Sequence, residues 1–252
     1  MSADVDVRPD ADAAMHATAE QIVEAAATAV RSSGRFTIAL AGGSTPRRLY
    51  ALLATPPYAT RVAWPAVEVF WGDERGVPPD DPASNYRMAH EALLAHVPVA
   101  PAHVHRIHGE DAPDAAAADY EHELRLVFAT PSGPPRHVAG ARLDLVLLGM
   151  GDNGHTASLF PHSPTLDERE RWVVADRVDA TPSARVTLTV PVINAAALAM
   201  FLAVGADKAP MLRRVLEGPR TPTTLPAQLV APSDGRVRWI VDAAAAADLR
   251  RR

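Results

Sequence analysis

The sequence predicts an α/β fold, a single doubly wound and mainly parallel sheet with helices on both faces (a Rossmann-like three-layer arrangement). Three observations carry this. Short apolar runs alternate with helical patterns along the chain, the signature of βαβ units. Most of the runs are largely apolar along their length rather than strictly alternating, as strands are when helices cover both sides of a sheet. Two of the runs end in glycine turns. The 252 residues are enough for one such domain, residues 1–252. Residues 1–12 are acidic and polar and are read as a flexible N-terminal tail.

In chain order, Ala14 to Arg31 is alanine-rich with apolar residues at helical spacing, and Gly34 supplies a stop. Phe36 to Ala41 is a strand that runs into Gly42-Gly43-Ser44-Thr45-Pro46, where Ser44 or Thr45 caps a helix with Pro46 in its first turn. Val67 to Trp71 is a second strand, followed by a helix over Ser84 to His96 and another over Ala115 to Ala129. Pro131 to Gly140 is a Pro/Gly-rich surface loop. Leu143 to Leu148 is a buried strand ending at Gly149-Met150-Gly151. Arg185 to Val190, Leu198 to Val204 and Val237 to Val241 are strands, and Ala206 to Glu217 and Ala243 to Arg250 are helices.

Composition narrows the function. The formal net charge of −5 argues against nucleic acid as a partner. No apolar run reaches the roughly 18 residues of a membrane span, and the N-terminus lacks the pattern of a signal peptide. With no cysteine, disulfides, thiolate metal sites and a cysteine nucleophile are excluded. A cytoplasmic enzyme fits these facts. Lys208 is the only lysine in a chain whose generic surface cation is arginine. It is either a stray surface residue or one chosen for its compact ammonium.

Ligands of open α/β sheets bind at the carboxyl ends of strands, and three segments occupy such places. Gly42 and Gly43 allow a phosphate to approach the backbone, while Ser44, Thr45 and the helix N-terminus supply donors; a plain tight turn with a helix cap is the other reading. Asp73, Glu74 and Arg75 follow a strand directly and suit a polyol or an anion, or a surface ion-pair cluster. His155 sits in the glycine-rich turn Gly149 to Pro161, where a neutral imidazole can take a proton from water. A separate His103, His105, His108 grouping has the look of a zinc site, although a histidine-rich surface loop is the simpler account.

Taken together, Ala41 to Pro46, Trp71 to Arg75 with Ser84-Asn85-Tyr86, Gly149 to Pro161, Arg185 to Thr189 and Gly205 to Ala209 resemble the 6-phosphogluconolactonase family. That family belongs to the larger glucosamine-6-phosphate isomerase/6-phosphogluconolactonase superfamily. The resemblance implies hydrolysis of 6-phospho-D-glucono-1,5-lactone to 6-phosphogluconate in the oxidative pentose phosphate pathway, with no metal or organic cofactor. It places His155 on the general base. Ser44, Thr45, Arg185 and Lys208 fall on phosphate-binding positions, and Asp73 and Arg75 near the sugar. The family usually has Asp-Gly-His where this chain has Asn153-Gly154-His155, with Asp152 one residue earlier, so either Asp152 or Asn153 is the orienting residue. The expected partner is a small sugar-phosphate lactone, handled by a monomer or small homo-oligomer.

Two alternatives stand beside this. The sibling activity, isomerisation with deamination of glucosamine 6-phosphate, needs an acid for ring opening, and Ser158-Leu159-Phe160-Pro161 supplies none. Glu168 or Glu170 would have to serve. A non-catalytic sugar-phosphate sensor would carry a basic DNA-binding segment, and the chain has none to spare.

Overall fold

Six parallel strands form the central sheet of the computed structural model, which describes residues 4–129, 140–177 and 183–250. The expected loop at Pro131 to Gly140 lies almost wholly outside them. The described strands are β1 (Asp4–Arg8), β2 (Phe36–Leu40), β3 (Val67–Trp71), β4 (Asp73–Arg75), β5 (Leu145–Leu148), β6 (Val173–Asp176), β7 (Arg185–Leu188), β8 (Leu198–Ala203) and β9 (Arg236–Asp242). The α-helices are α1 (Ala11–Ser33), α2 (Ser44–Leu53), α3 (Asn85–Ala89), α4 (Pro113–Val127), α5 (Val190–Ala195) and α6 (Ala209–Glu217). The central sheet has the order β1-β9-β8-β5-β2-β3. Every residue of β2, β5 and β8 is buried, as their largely apolar runs required.

A second, three-stranded antiparallel sheet, β4-β7-β6, adds to the expected architecture. The chain leaves β3 at Gly72, whose N–H donates to Leu40 O, and enters β4. Arg185 to Leu188 therefore pairs with β4 and β6 rather than joining the parallel sheet.

Two buried tyrosines hold the strand ends that lead into the site. The Tyr50 hydroxyl, on α2, accepts from the N–H of Ala41 (2.9 Å) and donates to its carbonyl (2.8 Å). The Tyr120 hydroxyl, on α4, does the same for Trp71 at the end of β3 (2.8 and 3.0 Å). Burial pushes both phenols far above their ordinary ionisation range, so they remain neutral donors. Removing either hydroxyl leaves two buried backbone groups unpaired, at about 1–3 kcal/mol each.

Three expectations are corrected. Residues 4–12 are not a tail: Asp4 to Arg8 forms β1 in parallel register with Arg238 to Asp242, and Asp10 caps α1 through Ala13 N. The acidic residues that read as solvated are partners of arginines, Asp6 taking both Arg8 (2.7 Å) and Arg238 (2.9 Å). Ala243 to Arg250 forms turns rather than a helix. There the Asp242 carboxylate accepts from Ala245 N and Gly205 N, and this local capping overrides the helical preference of alanine. Ser84 to His96 is not one regular helix, because α3 passes into a π-helical turn over His90–Leu94. No helix among the described residues is long and apolar enough to cross a membrane.

The His103, His105, His108 grouping has a structural explanation. His105 donates or accepts at both ring nitrogens, to Glu68 Oε2 on β3 (2.7 Å) and Glu123 Oε1 on α4 (2.7 Å), and stacks on Phe70. Among the described residues no group of three ligands is placed to hold a metal. Burial pulls the His105 pKa down, but Glu123 and Glu68 outweigh it and the net direction is up. A raised pKa stabilises the fold fully below the unfolded value and loses that contribution as pH rises through the folded value. His105→Gln should therefore lower the melting temperature by about 2–4 °C at pH 6, the shift for ~1 kcal/mol in a domain of this size. Thermal denaturation followed by circular dichroism should find the gap narrowing towards pH 9; a gap independent of pH would mean that His105 is held neutral.

Candidate active site

The order of strands reverses between β2 and β5. From β2 the chain moves outward to β3, whereas from β5 it moves the other way to β8 and β9. Loops leaving the two adjacent strands diverge, and the crevice between them is where an open sheet binds ligands. A cleft of about 400 Å³ lies there, lined by Gly42, Gly43, Asp73, Arg75, Gly149 to Gly151, His155, Ser158, Phe160 and Arg185 among others.

The first wall follows β2. Tyr50 fixes Ala41, and the chain then turns at Gly43, whose φ of 108° favours glycine. Gly43 is also the residue before α2, so neither Ser44 nor Thr45 is its cap as expected: both lie in the first turn, and no side chain caps the helix. Gly42 has a different reason to be glycine: a Cβ there would fall on the Asn85 amide.

The second wall is β4. Its residues alternate, so Asp73 and Arg75 share one face and Glu74 takes the other. Glu74 is buried and accepts from the N–H groups of Arg75 (2.8 Å), Asn85 (2.7 Å) and Tyr86 (2.7 Å), which ties the start of α3 to the strand. Burial pushes the Glu74 carboxyl up while these donors pull it down. Asp73 is held by Ser158, whose hydroxyl donates to Oδ2 at 2.6 Å. Arg75 stands directly opposite Arg185 in the β4–β7 ladder. Among the described residues neither arginine has a carboxylate within 4 Å. Burial first, then Arg75, lowers the Arg185 pKa. Like charges opposed across a ladder cost stability; Asp73 and Glu74 offset part of that cost at Arg185, and the pair presents concentrated positive charge at the cleft.

The third wall follows β5. Gly151 N–H donates to His155 O (2.9 Å), and Gly154 turns the loop with φ of 80°. A Cβ on Gly151 would fall on the His155 ring. Asn153 Oδ1 accepts from the His155 backbone N–H (3.1 Å) and lies 2.6 Å from Nδ1. The backbone group can only donate, so the facing atom is oxygen and Nδ1 carries the ring proton. Nε2 is then the basic nitrogen. Burial, the largest influence, lowers the His155 pKa; Asp73 raises it, Lys208 lowers it, Asp152 raises it and Arg185 lowers it.

The cleft thus gathers Gly42, Gly43, Asp73, Arg75, His155 and Arg185. Ser44, Thr45, Asn153, Asp152 and Lys208 lie outside its lining. Between the two candidate orienting residues, the ring contact belongs to Asn153, while Asp152 pairs with Lys208, which also has Asp207 at 3.5 Å. The sequence reading did not single out Asn85, Ser158 or Phe160, whose ring packs 4.7 Å from that of His155. Asn85 had a signal, since it stands in the Ser84-Asn85-Tyr86 motif.

The fold and the site together define an α/β protein with a histidine, a buried carboxylate and an arginine pair at the switch point of its sheet. Residues 9–239 match the family of glucosamine-6-phosphate isomerases/6-phosphogluconolactonase, and the chain belongs to that family. A 6-phosphogluconolactonase of Nostoc sp. is 41% identical over 250 residues, covering 99% of each chain. One of Synechocystis sp. is 40% identical over 223 residues, covering 88% of each. The solved 6-phosphogluconolactonase from Trypanosoma cruzi superposes with a TM-score of 0.85 at 29% identity, covering 99% of this chain and 98% of that one.

The contact between Asn153 and His155 generates a test. Asn153→Asp adds a carboxylate against Nδ1, which stabilises the imidazolium and raises the His155 pKa. Asp152→Asn removes only an indirect charge and should lower it slightly. NMR titration of the His155 Cε1 proton reads both; an unmoved midpoint in Asn153→Asp with a large fall in Asp152→Asn would make Asp152 the partner of the ring.

Proposed function

We propose that this protein hydrolyses 6-phospho-D-glucono-1,5-lactone to 6-phospho-D-gluconate, the second step of the oxidative pentose phosphate pathway, with His155 as general base. The observation that carries this reading is one cleft holding an imidazole whose Nδ1 faces the Asn153 oxygen, a buried carboxylate and two opposed arginines. The near full-length relatives bearing the lactonase name support the same substrate.

The chemistry follows from those groups. His155 Nε2 takes a proton from a water whose oxygen bonds to the lactone carbonyl carbon. The resulting oxyanion needs preorganised donors, and Arg75 and the N–H groups of the glycine turn are the candidates. When the tetrahedral intermediate collapses, the bond from carbonyl carbon to ring oxygen breaks. The histidinium returns its proton to that oxygen, which leaves as an alcohol. Asn153 holds the ring without charge, so the negative potential that steadies histidinium comes from Asp73 and Asp152. Arg185, Lys208, Ser44 and Thr45 hold the phosphate, which positions the carbonyl without joining the reaction. The steps call on imidazole and hydrogen-bond donors alone, so no metal or organic cofactor enters the proposal. A cytoplasmic setting and a diffusing sugar-phosphate substrate, handled by a monomer or small homo-oligomer, belong to the same reading.

The deaminase alternative lacks its acid. Glu168 is occupied with the N–H groups of Arg169, Glu170 and Arg171, and among the described residues Asp73 is the only carboxylate lining the cleft.

The test is an assay on freshly made lactone, corrected for spontaneous opening. The wild type should accelerate hydrolysis, and His155→Ala should lose about 10²–10⁴-fold in kcat while still binding product. Arg185→Ala and Lys208→Ala should weaken phosphorylated ligands by roughly 10²-fold and leave the unphosphorylated lactone unaffected. No acceleration by the wild type would end the proposal, and equal losses on both lactones would remove these two residues from the phosphate.

A further inference from the structure

Asn85 is fully buried beside the cleft, and no step of the hydrolysis uses it. Its amide is nevertheless committed on every side. Nδ2 donates to the Asp73 carbonyl (2.8 Å) and to Asp73 Oδ1 (3.3 Å), and Oδ1 accepts from Arg75 Nη1. The orientation is unambiguous, because a guanidinium only donates and the Asp73 oxygens only accept. Gly42 closes the remaining side, where a Cβ would collide with this amide. The residue itself is fixed by its backbone N–H on Glu74 Oε1 (2.7 Å) and by the Ser84 cap of α3.

Asp73 and Arg75 are two residues apart on one strand, so their side chains leave the same face. An aspartate and an arginine so placed would ordinarily pair with each other. Here the amide stands between them, donating to one and accepting from the other. A direct pair would neutralise the cation meant for an anionic substrate and turn the carboxylate away from the histidine.

We propose that Asn85 is a positioning residue for the hydrolysis, an amide strut that keeps Asp73 and Arg75 apart and aimed into the cleft beneath the Gly42 turn. The proposal rests on the lactonase reading for its kinetic consequences and on geometry for the rest. It also explains why Gly42 must be glycine, since any side chain there displaces the strut.

The test begins with Asn85→Ala, which keeps the backbone anchor on Glu74. Its crystal structure should have Asp73 and Arg75 in direct contact. Its kcat/KM, per folded molecule, should fall by roughly 10- to 100-fold, the scale expected when a buried polar group loses its partner. The groups that set the acid limb at His155 are Asp73, Asp152, Lys208 and Arg185. With Asp73 neutralised by Arg75, that limb should move to lower pH, a change that mere loss of packing would not produce. Gly42→Ala displaces the same amide from the other side and should reproduce the defect. Combined with Asn85→Ala, which vacates the space, it should add little further loss. Should Asn85→Ala not fold, Gly42→Ala decides by the same readouts. The proposal is overturned if Asp73 and Arg75 keep their positions, or if kcat/KM and the acid limb stay within about twofold and unshifted. A wild type without lactonase activity would defeat the functional reading instead, and the two side-chain positions in the variant would still decide the inference.

Discussion

Two buried phenol groups decide where the sheet stops. Each satisfies the N–H and the carbonyl of one residue, Tyr50 at Ala41 and Tyr120 at Trp71, and so takes from the backbone the bonds that would otherwise extend the strand. With both edges ended, the chain is released on one side into the glycine turn before α2 and on the other through Gly72 into β4. The catalytic side of the molecule is built from those two departures. Because the anchors sit on α2 and α4, helix packing and site geometry are one problem.

From these anchors the site follows by a sequence of small obligations. The second sheet brings β7 against β4 and sets two arginines opposite one another. Glu74 on the other face of β4 fastens α3, and α3 carries Asn85 under the glycine turn. On the third wall, an uncharged amide holds His155. The residue in contact with Nδ1 is therefore uncharged, and burial draws the ring's pKa down, so the free base extends to lower pH than a carboxylate in that contact would allow.

Much of the fold was legible in the sequence because it depends on local pattern. Largely apolar runs marked β2, β3, β5 and β8, and the glycine turns marked the strand ends that open onto the cleft. Features that depend on distant pairing were not legible. The Ser158 to Asp73 bond joins residues 85 positions apart, and nothing near Arg185 indicates an antiparallel partner on β4. The Asp-Val-Asp-Val pattern at the N-terminus read as a solvated tail because Arg238, its partner, lies at the far end of the chain. Gly42 also has a packing reason that only the distant Asn85 supplies. Asn153 stood out as a departure from the family pattern, but only its distance to Nδ1 could separate it from Asp152.

The central claim is that a neutral His155, drawn below its ordinary pKa by burial, supplies the base. The pH dependence of kcat/KM for lactone hydrolysis, corrected for spontaneous opening, measures this directly, since it reports the ionisations of the free enzyme. The account predicts a single acid limb below the ordinary imidazole value of about 6.5, with a level rate above it and no such limb in His155→Ala. A limb above that value, or a profile unchanged by removing the imidazole, would contradict it.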